Sequence, residues 1–160
     1  MKRTMRDGLM VVVLLVGAGM LVMTLGRGGT AATPPMFRAG LTLEQATSEA
    51  AGGDRLVFVY ATADWCGPCQ AFKRGALSDG QVEAWIEQHA APVYLDVDER
   101  PEEAARLGVR SIPAVFVFDG ATLIGRASGV MSASALLEWL EGQREAAHRA
   151  GASETASASS

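Results

Sequence analysis

The chain has 160 residues, enough for one domain with a buried core. Its formal net charge of −4 is uneven: Lys2, Arg3, Arg6 and Arg27 lie in the first thirty residues with Asp7 the only acid, and the remainder holds 10 basic and 17 acidic residues. An acidic body of this kind argues against a nucleic-acid partner, which requires a basic face.

The first element is the uncharged run LMVVVLLVGAGMLVMTL, Leu9 to Leu25. As a helix its roughly 17 residues reach about 25 Å, the short end of a membrane span. It is apolar on every face, unlike a surface helix of a globular core. Positive charge is heavier before the run than after it, which leaves the N-terminus in the cytoplasm and sends the rest across the membrane. Residues 1–26 are therefore expected to be a single-pass signal anchor in the inner, cytoplasmic membrane, with membrane contact through residues 9–25 and the body in the periplasm or another extracytoplasmic space. The alternative is a cleaved signal peptide, with Gly29-Thr30-Ala31 as the small-residue region, leaving a secreted protein. Either reading puts the body where disulfides persist.

Residues 27–39, rich in Gly, Thr, Ala and Pro, read as a linker. The pattern Thr42-Leu-Glu-Gln45 is a capping box, predicting a helix to about Ala51 that ends at Gly52-Gly53-Asp54. RLVFVYAT, residues 55–62, is β-branched and aromatic, as a buried strand should be. A helix follows through CQAFKRGAL. Ser78-Asp-Gly-Gln81 is a second capping pattern, predicting a helix to His89 with Val82, Trp85, Ile86 and His89 on one side. Pro92 ends it, and PVYLDVD, residues 92–98, is a strand. PEEAARLG is a short helix with Pro101 in its first turn, Glu102 and Glu103 at its positive end and Gly108 at its exit. SIPAVFVFDGATLIGRASG gives two strands about an Asp119-Gly120 turn. Ser132 or Ser134 starts a last helix with Leu136, Leu137 and Leu140 on one side. The small polar residues 149–160 are expected to be a disordered tail. Strands joined through helices pair in parallel and the final hairpin is antiparallel, so the order implies an α/β sandwich with a mixed central sheet over residues 40–148.

Both cysteines, Cys66 and Cys69, stand in ADWCGPCQ, where a strand ends and a helix begins. A structural zinc site needs four ligands, and only one Cys-x-x-Cys pair is present, with His89 facing the expected core and His148 near the expected tail. No metal is expected. A structural staple across so short a loop adds little stability. The remaining chemistry is redox. Unpaired N–H groups and the helix dipole favour an anion at Cys66, so that thiol is the candidate nucleophile. Cys69, one turn further in, is the candidate resolving thiol. Pro68 suits a first turn, and Trp65 offers a flat apolar wall.

ADWCGPC resembles the active site of the thioredoxin superfamily, and the likeness extends over residues 40–147 with VRSIPAVFVF as its second motif. The resemblance implies a thioredoxin-like fold and a thiol–disulfide oxidoreductase that needs no cofactor beyond the Cys66–Cys69 disulfide. It also implies that Pro113 is cis and beside Cys66, and that the Ile112 backbone pairs with an extended substrate peptide. Trp65, Gly67 and Pro68 complete the implied site.

The chain departs from the family at Tyr60, where many thioredoxins carry a buried acid that takes the proton from the resolving thiol. Tyr94 stands where a lysine would face it. A phenol is a poor base at neutral pH, and Asp64, the nearest acid, reads as solvent-facing. Resolution is then expected to rely on water and to be slower than thioredoxin's. The Gly67-Pro68 pair resembles that of reducing members, whose potentials lie near −270 mV against about −120 mV for the strongest oxidants. A reductant of extracytoplasmic disulfide-bearing proteins is therefore expected, supplied by a transmembrane electron donor, as in the soluble thioredoxin-like domain of membrane disulfide reductases. The alternatives are an oxidase or isomerase of the same fold, or a peptide-binding module without turnover.

Overall fold

The computed structural model describes residues 29–51 and 55–158. The apolar run Leu9–Leu25, the positive residues before it, and the expected helix stop at residues 52–54 lie outside them. Among the described residues no helix is long and apolar enough to cross a membrane. The compact unit is Ala31–Ser160, and the structure below is that of this unit.

Helix α1, Leu43–Ala50, begins at the predicted capping box. Thr42 Oγ1 accepts from the Gln45 N–H at 3.2 Å, and Gln45 Oε1 accepts from the Thr42 N–H at 3.0 Å. Strand β1, Leu56–Thr62, is buried along its whole length. A strand covered on both faces reads as a continuous apolar run, which is why its sequence shows no alternation. Helix α2, Gly67–Arg74, follows, then a single 3-10 turn, Ala76–Ser78. Helix α3 is Gly80–His89, strand β2 Ala90–Asp96 and helix α4 Pro101–Arg106. Strands β3, Ala114–Asp119, and β4, Thr122–Ser128, form the hairpin, and α5, Ala133–Ala158, closes the chain.

The sheet order is β2-β1-β3-β4, with β1 and β2 parallel and the other two pairs antiparallel. This is the mixed α/β sandwich expected from the order of elements. β1 presents Phe58 and Tyr60 to one core with Phe72, Leu77, Ile86, Leu136 and Leu140. It presents Val57, Val59 and Ala61 to a second core with Ala46, Ala50, Val93, Ala104 and Phe116. The strand therefore delivers its C-terminal end, and the cysteine loop after it, from between two helical layers.

Four local expectations are corrected. The α3 cap is Asp79, whose Oδ1 accepts from the Gln81 and Val82 N–H groups at 2.9 and 3.3 Å. The Ser78 hydroxyl instead donates to Lys73 O at 2.7 Å, closing the end of α2. A carboxylate also suits the positive end of a helix better than a hydroxyl does. β2 starts at Ala90, not Pro92, because pairing begins at Leu56 with Ala90. It is an edge strand, where a proline's missing N–H can face away from the ladder. α5 is begun by Ser132, whose Oγ accepts from the Ala135 N–H at 3.2 Å, and it runs on to Ala158, where a disordered tail was expected from residue 149.

The fourth correction concerns the expected linker 27–39. Met36 and Phe37 are buried in the first core. The Phe37 ring lies 6.3 Å from Phe58, 6.1 Å from Tyr60 and 5.6 Å from Tyr94 between centroids. The Gly/Pro/Thr composition of the segment masks two large apolar side chains, and burying them outweighs the flexibility that the composition suggests.

Candidate active site

Cys66 and Cys69 form a disulfide, with sulfurs 2.09 Å and Cα atoms 5.2 Å apart. Cys66 is the N-cap of α2: its Sγ accepts the Cys69 N–H at 3.2 Å. The sulfur thus occupies the place that a serine or aspartate oxygen takes in an ordinary cap, at the positive end of the helix dipole. Gly67 and Pro68 fill the first turn, where a proline's missing N–H leaves no helical bond unmade. Cys66 retains 4% of its surface and Cys69 none. Of the two, Cys66 is thus the residue that both caps the helix and keeps some exposure.

Trp65 stands beside it with 71% of its surface exposed. Its Nε1 donates to Asp98 Oδ2 at 2.7 Å, which ties the ring to the segment after β2. Trp65, Cys66, Gly67, Pro68 and Ile112 line one groove of about 820 Å³, so the structure brings these five expected residues together. The Ile112–Pro113 peptide is cis, as the resemblance implied. Pro113 is buried just behind the groove, where its carbonyl accepts the Gly129 N–H at 2.8 Å. Val97, Pro101, Ala104, Ala105 and Val109 also line the groove, and none of them was among the expected site residues. Their apolar character at the end of β2 and along α4 was visible, but their distance from the cysteines in sequence hid the role.

Below the disulfide, Tyr60 is fully buried and its hydroxyl donates to Cys69 O at 3.0 Å. Burial is the main cause that pushes its phenol up to about 12; the Thr62 hydroxyl beside it pulls the other way and Tyr94 adds to the rise. At neutral pH Tyr60 is a hydrogen-bond donor and not a base. Asp64 is exposed, as expected from sequence. Gln70, buried next to Cys69, donates through Nε2 to Ala63 O at 3.2 Å and Asp64 O at 3.1 Å, and its Oε1 accepts the Ala31 N–H at 2.6 Å. One side chain thus ties the start of the compact unit to the loop that carries Trp65 and Cys66.

Lys73 joins the site without having stood out in the sequence. Its side chain is 1% exposed, and its Nζ donates to the Tyr94 hydroxyl at 3.0 Å. Its spacing of four from Cys69 was the available signal, since residues so spaced share a helix side. Among the described residues no group of His, Cys, Asp and Glu is arranged to hold a metal ion.

Comparison with known proteins agrees with this geometry. A family model described as thioredoxin-like matches residues 38–120. Thioredoxin 1 of Chlorobaculum tepidum is 39% identical over 75 residues, covering 47% of this chain and 71% of that one. The thioredoxin of Alicyclobacillus acidocaldarius is 37% identical over 86 residues, covering 51% and 76%. Among solved structures, a thioredoxin from Thermus thermophilus superposes with a TM-score of 0.56 at 25% identity, covering 78% of this chain and 93% of that one.

Proposed function

The chain belongs to the thioredoxin-like family, and from that premise we propose that it is a protein-disulfide reductase acting on extracytoplasmic proteins. Family membership and the Cys66–Cys69 pair support thiol–disulfide exchange, and members of the family act on disulfide-bearing substrates. The observation that carries the reading is the position of Cys66 Sγ, capping α2 at the mouth of an apolar groove.

The reaction follows from that position. In the reduced protein the Cys66 thiolate attacks one sulfur of a substrate disulfide. A Cys66–substrate bond forms, and the other substrate sulfur leaves with the electron pair and takes a proton from water. Cys69 then loses its proton and attacks Cys66 Sγ. The Cys66–Cys69 bond forms and the second substrate thiol is released, so two electrons pass from the dithiol to the substrate. Trp65 and Ile112 flank the attacked bond, and the Ile112 backbone offers an edge to an extended peptide. A membrane electron donor re-reduces the disulfide, with the N-terminal run as a single-pass anchor and the body outside the cytoplasm. The support for that placement is the run Leu9–Leu25 and the charge before it.

Insulin reduction with dithiothreitol as electron source tests the reading. The parent chain should precipitate insulin, Cys66→Ser should be inactive, and Cys69→Ser should accumulate a mixed disulfide. Equal activity of the parent and Cys66→Ser would instead favour a module that holds peptides without turnover.

A further inference from the structure

Lys73 is a buried charged side chain that the reaction above does not use. A lysine is almost never fully buried unless it is paired, and its partners here are modest. Among the described residues three titratable groups face it or stand next to those that do. Tyr94, from β2, accepts its hydrogen bond at 3.0 Å, and the ammonium lies beyond the phenol oxygen, 5.4 Å from the ring centre, not over the ring face. Asp64, from the loop after β1, is 4.0 Å away and 70% exposed, so water screens most of that attraction. Tyr60, from β1, stands behind Tyr94 with ring centres 5.9 Å apart and donates to the Cys69 carbonyl.

The helix fixes where the charge points. Cys69 and Lys73 are both buried residues of α2, four apart. Such pairs have Cβ atoms about 5–6 Å apart on one side of the helix. Helical side chains lean toward the N-terminus, and the reach of Nζ to Asp64, which precedes the cysteines, agrees with that direction. Lys73 thus shares the helix side of the resolving cysteine, with its ammonium near the loop that precedes the pair.

We propose that Lys73 is the positioning residue of the resolving step: its buried positive charge favours Cys69 as the thiolate that attacks the mixed disulfide. This rests on the oxidoreductase reading. In the step itself the Cys69 proton passes to water, the Cys69–Cys66 bond forms, and the substrate sulfur leaves with the electron pair. Lys73 neither gives nor takes the proton. It supplies the electrostatic help in a site where Tyr60 remains protonated and Asp64 faces solvent.

The Cys66→Ser variant leaves Cys69 as the sole thiol and keeps a hydroxyl at the cap. Its ultraviolet thiolate absorbance, followed against pH, gives the Cys69 pKa directly. Adding Lys73→Met should raise that pKa by about one pH unit or more, the usual effect of losing a nearby opposite charge. Lys73→Arg, which keeps the charge, should restore most of it. With both cysteines present, Lys73→Met should resolve the mixed disulfide about tenfold more slowly at neutral pH, following the thiolate fraction. Should the Met variant fold poorly by circular dichroism, Lys73→Gln gives a second neutral side chain for the same titration. A Cys69 titration that is the same with Lys, Met or Gln at position 73 overturns the proposal and leaves Lys73 a packing residue. The titration needs no turnover. Failure of the parent to reduce insulin would thus count against the reductase reading alone, and an unmoved Cys69 pKa in an active enzyme against Lys73 alone.

Discussion

Tyr60 shows how one side chain can replace the chemistry of another with structure. Its hydroxyl is used on the Cys69 carbonyl, and burial keeps it protonated well past the ordinary range. The consequence for stability has a definite sign. A phenol whose folded pKa lies near 12, against an ordinary 10.0, binds its proton more tightly when folded. That contribution is complete below pH 10 and is lost as pH rises from 10 through about 12. Denaturant unfolding across this window should show the parent losing more stability than Tyr60→Phe. At neutral pH the same substitution should cost about 1 kcal/mol for the lost hydrogen bond. Parallel pH curves for the two proteins would show that the buried hydroxyl is not what titrates there. The residue pattern was legible in part. The cysteines, Trp65 and Ile112–Pro113 stand out by type and spacing, and Tyr60 stands out as the wrong residue for its place. Lys73 does not, because a lysine in a helix reads as surface until the packing around it is known.

Among the elements, those marked by local chemistry were read correctly. The Thr42 box, the Gly108 exit with its φ of 64° and the turn at Gly120 with φ 55° each depend on a few neighbouring residues. The misread elements depend on the tertiary structure. Ser78 lost its cap role to Asp79 because the end of α2 claims its hydroxyl. The segment before α1 reads as linker, yet Met36 and Phe37 complete the core beneath the active site. Its test is direct. Phe37→Ala should lower unfolding stability by about 3–5 kcal/mol in a urea titration, as for other buried aromatic truncations. A midpoint equal to the parent's would return residues 31–39 to the status of a tether. The Gln70 contacts add a functional side to this element, since the same segment braces the Ala63–Asp64 backbone just before the cysteine loop.

For the whole molecule, two regions with different chemistry are joined in one chain. The thioredoxin-like body follows an uncharged run with basic residues before it, and the proposal that this run anchors the body outside the cytoplasm belongs to sequence alone. Expressed in bacteria, the full chain should sediment with membranes and resist carbonate extraction. Its body should be digested by protease added to spheroplasts. Recovery in the soluble fraction, with a mature N-terminus near Ala31, would indicate cleavage instead, and protection inside intact spheroplasts would contradict the orientation. The direction of electron flow is likewise a property of the whole site, set by the balance between a helix-stabilised Cys66 thiolate and the disulfide. The most direct measurement is the reduction potential of the Cys66–Cys69 couple in a glutathione redox titration. A reductase should lie close to thioredoxin, near −270 mV, and a value above about −170 mV, toward the oxidants of the family, would contradict the account.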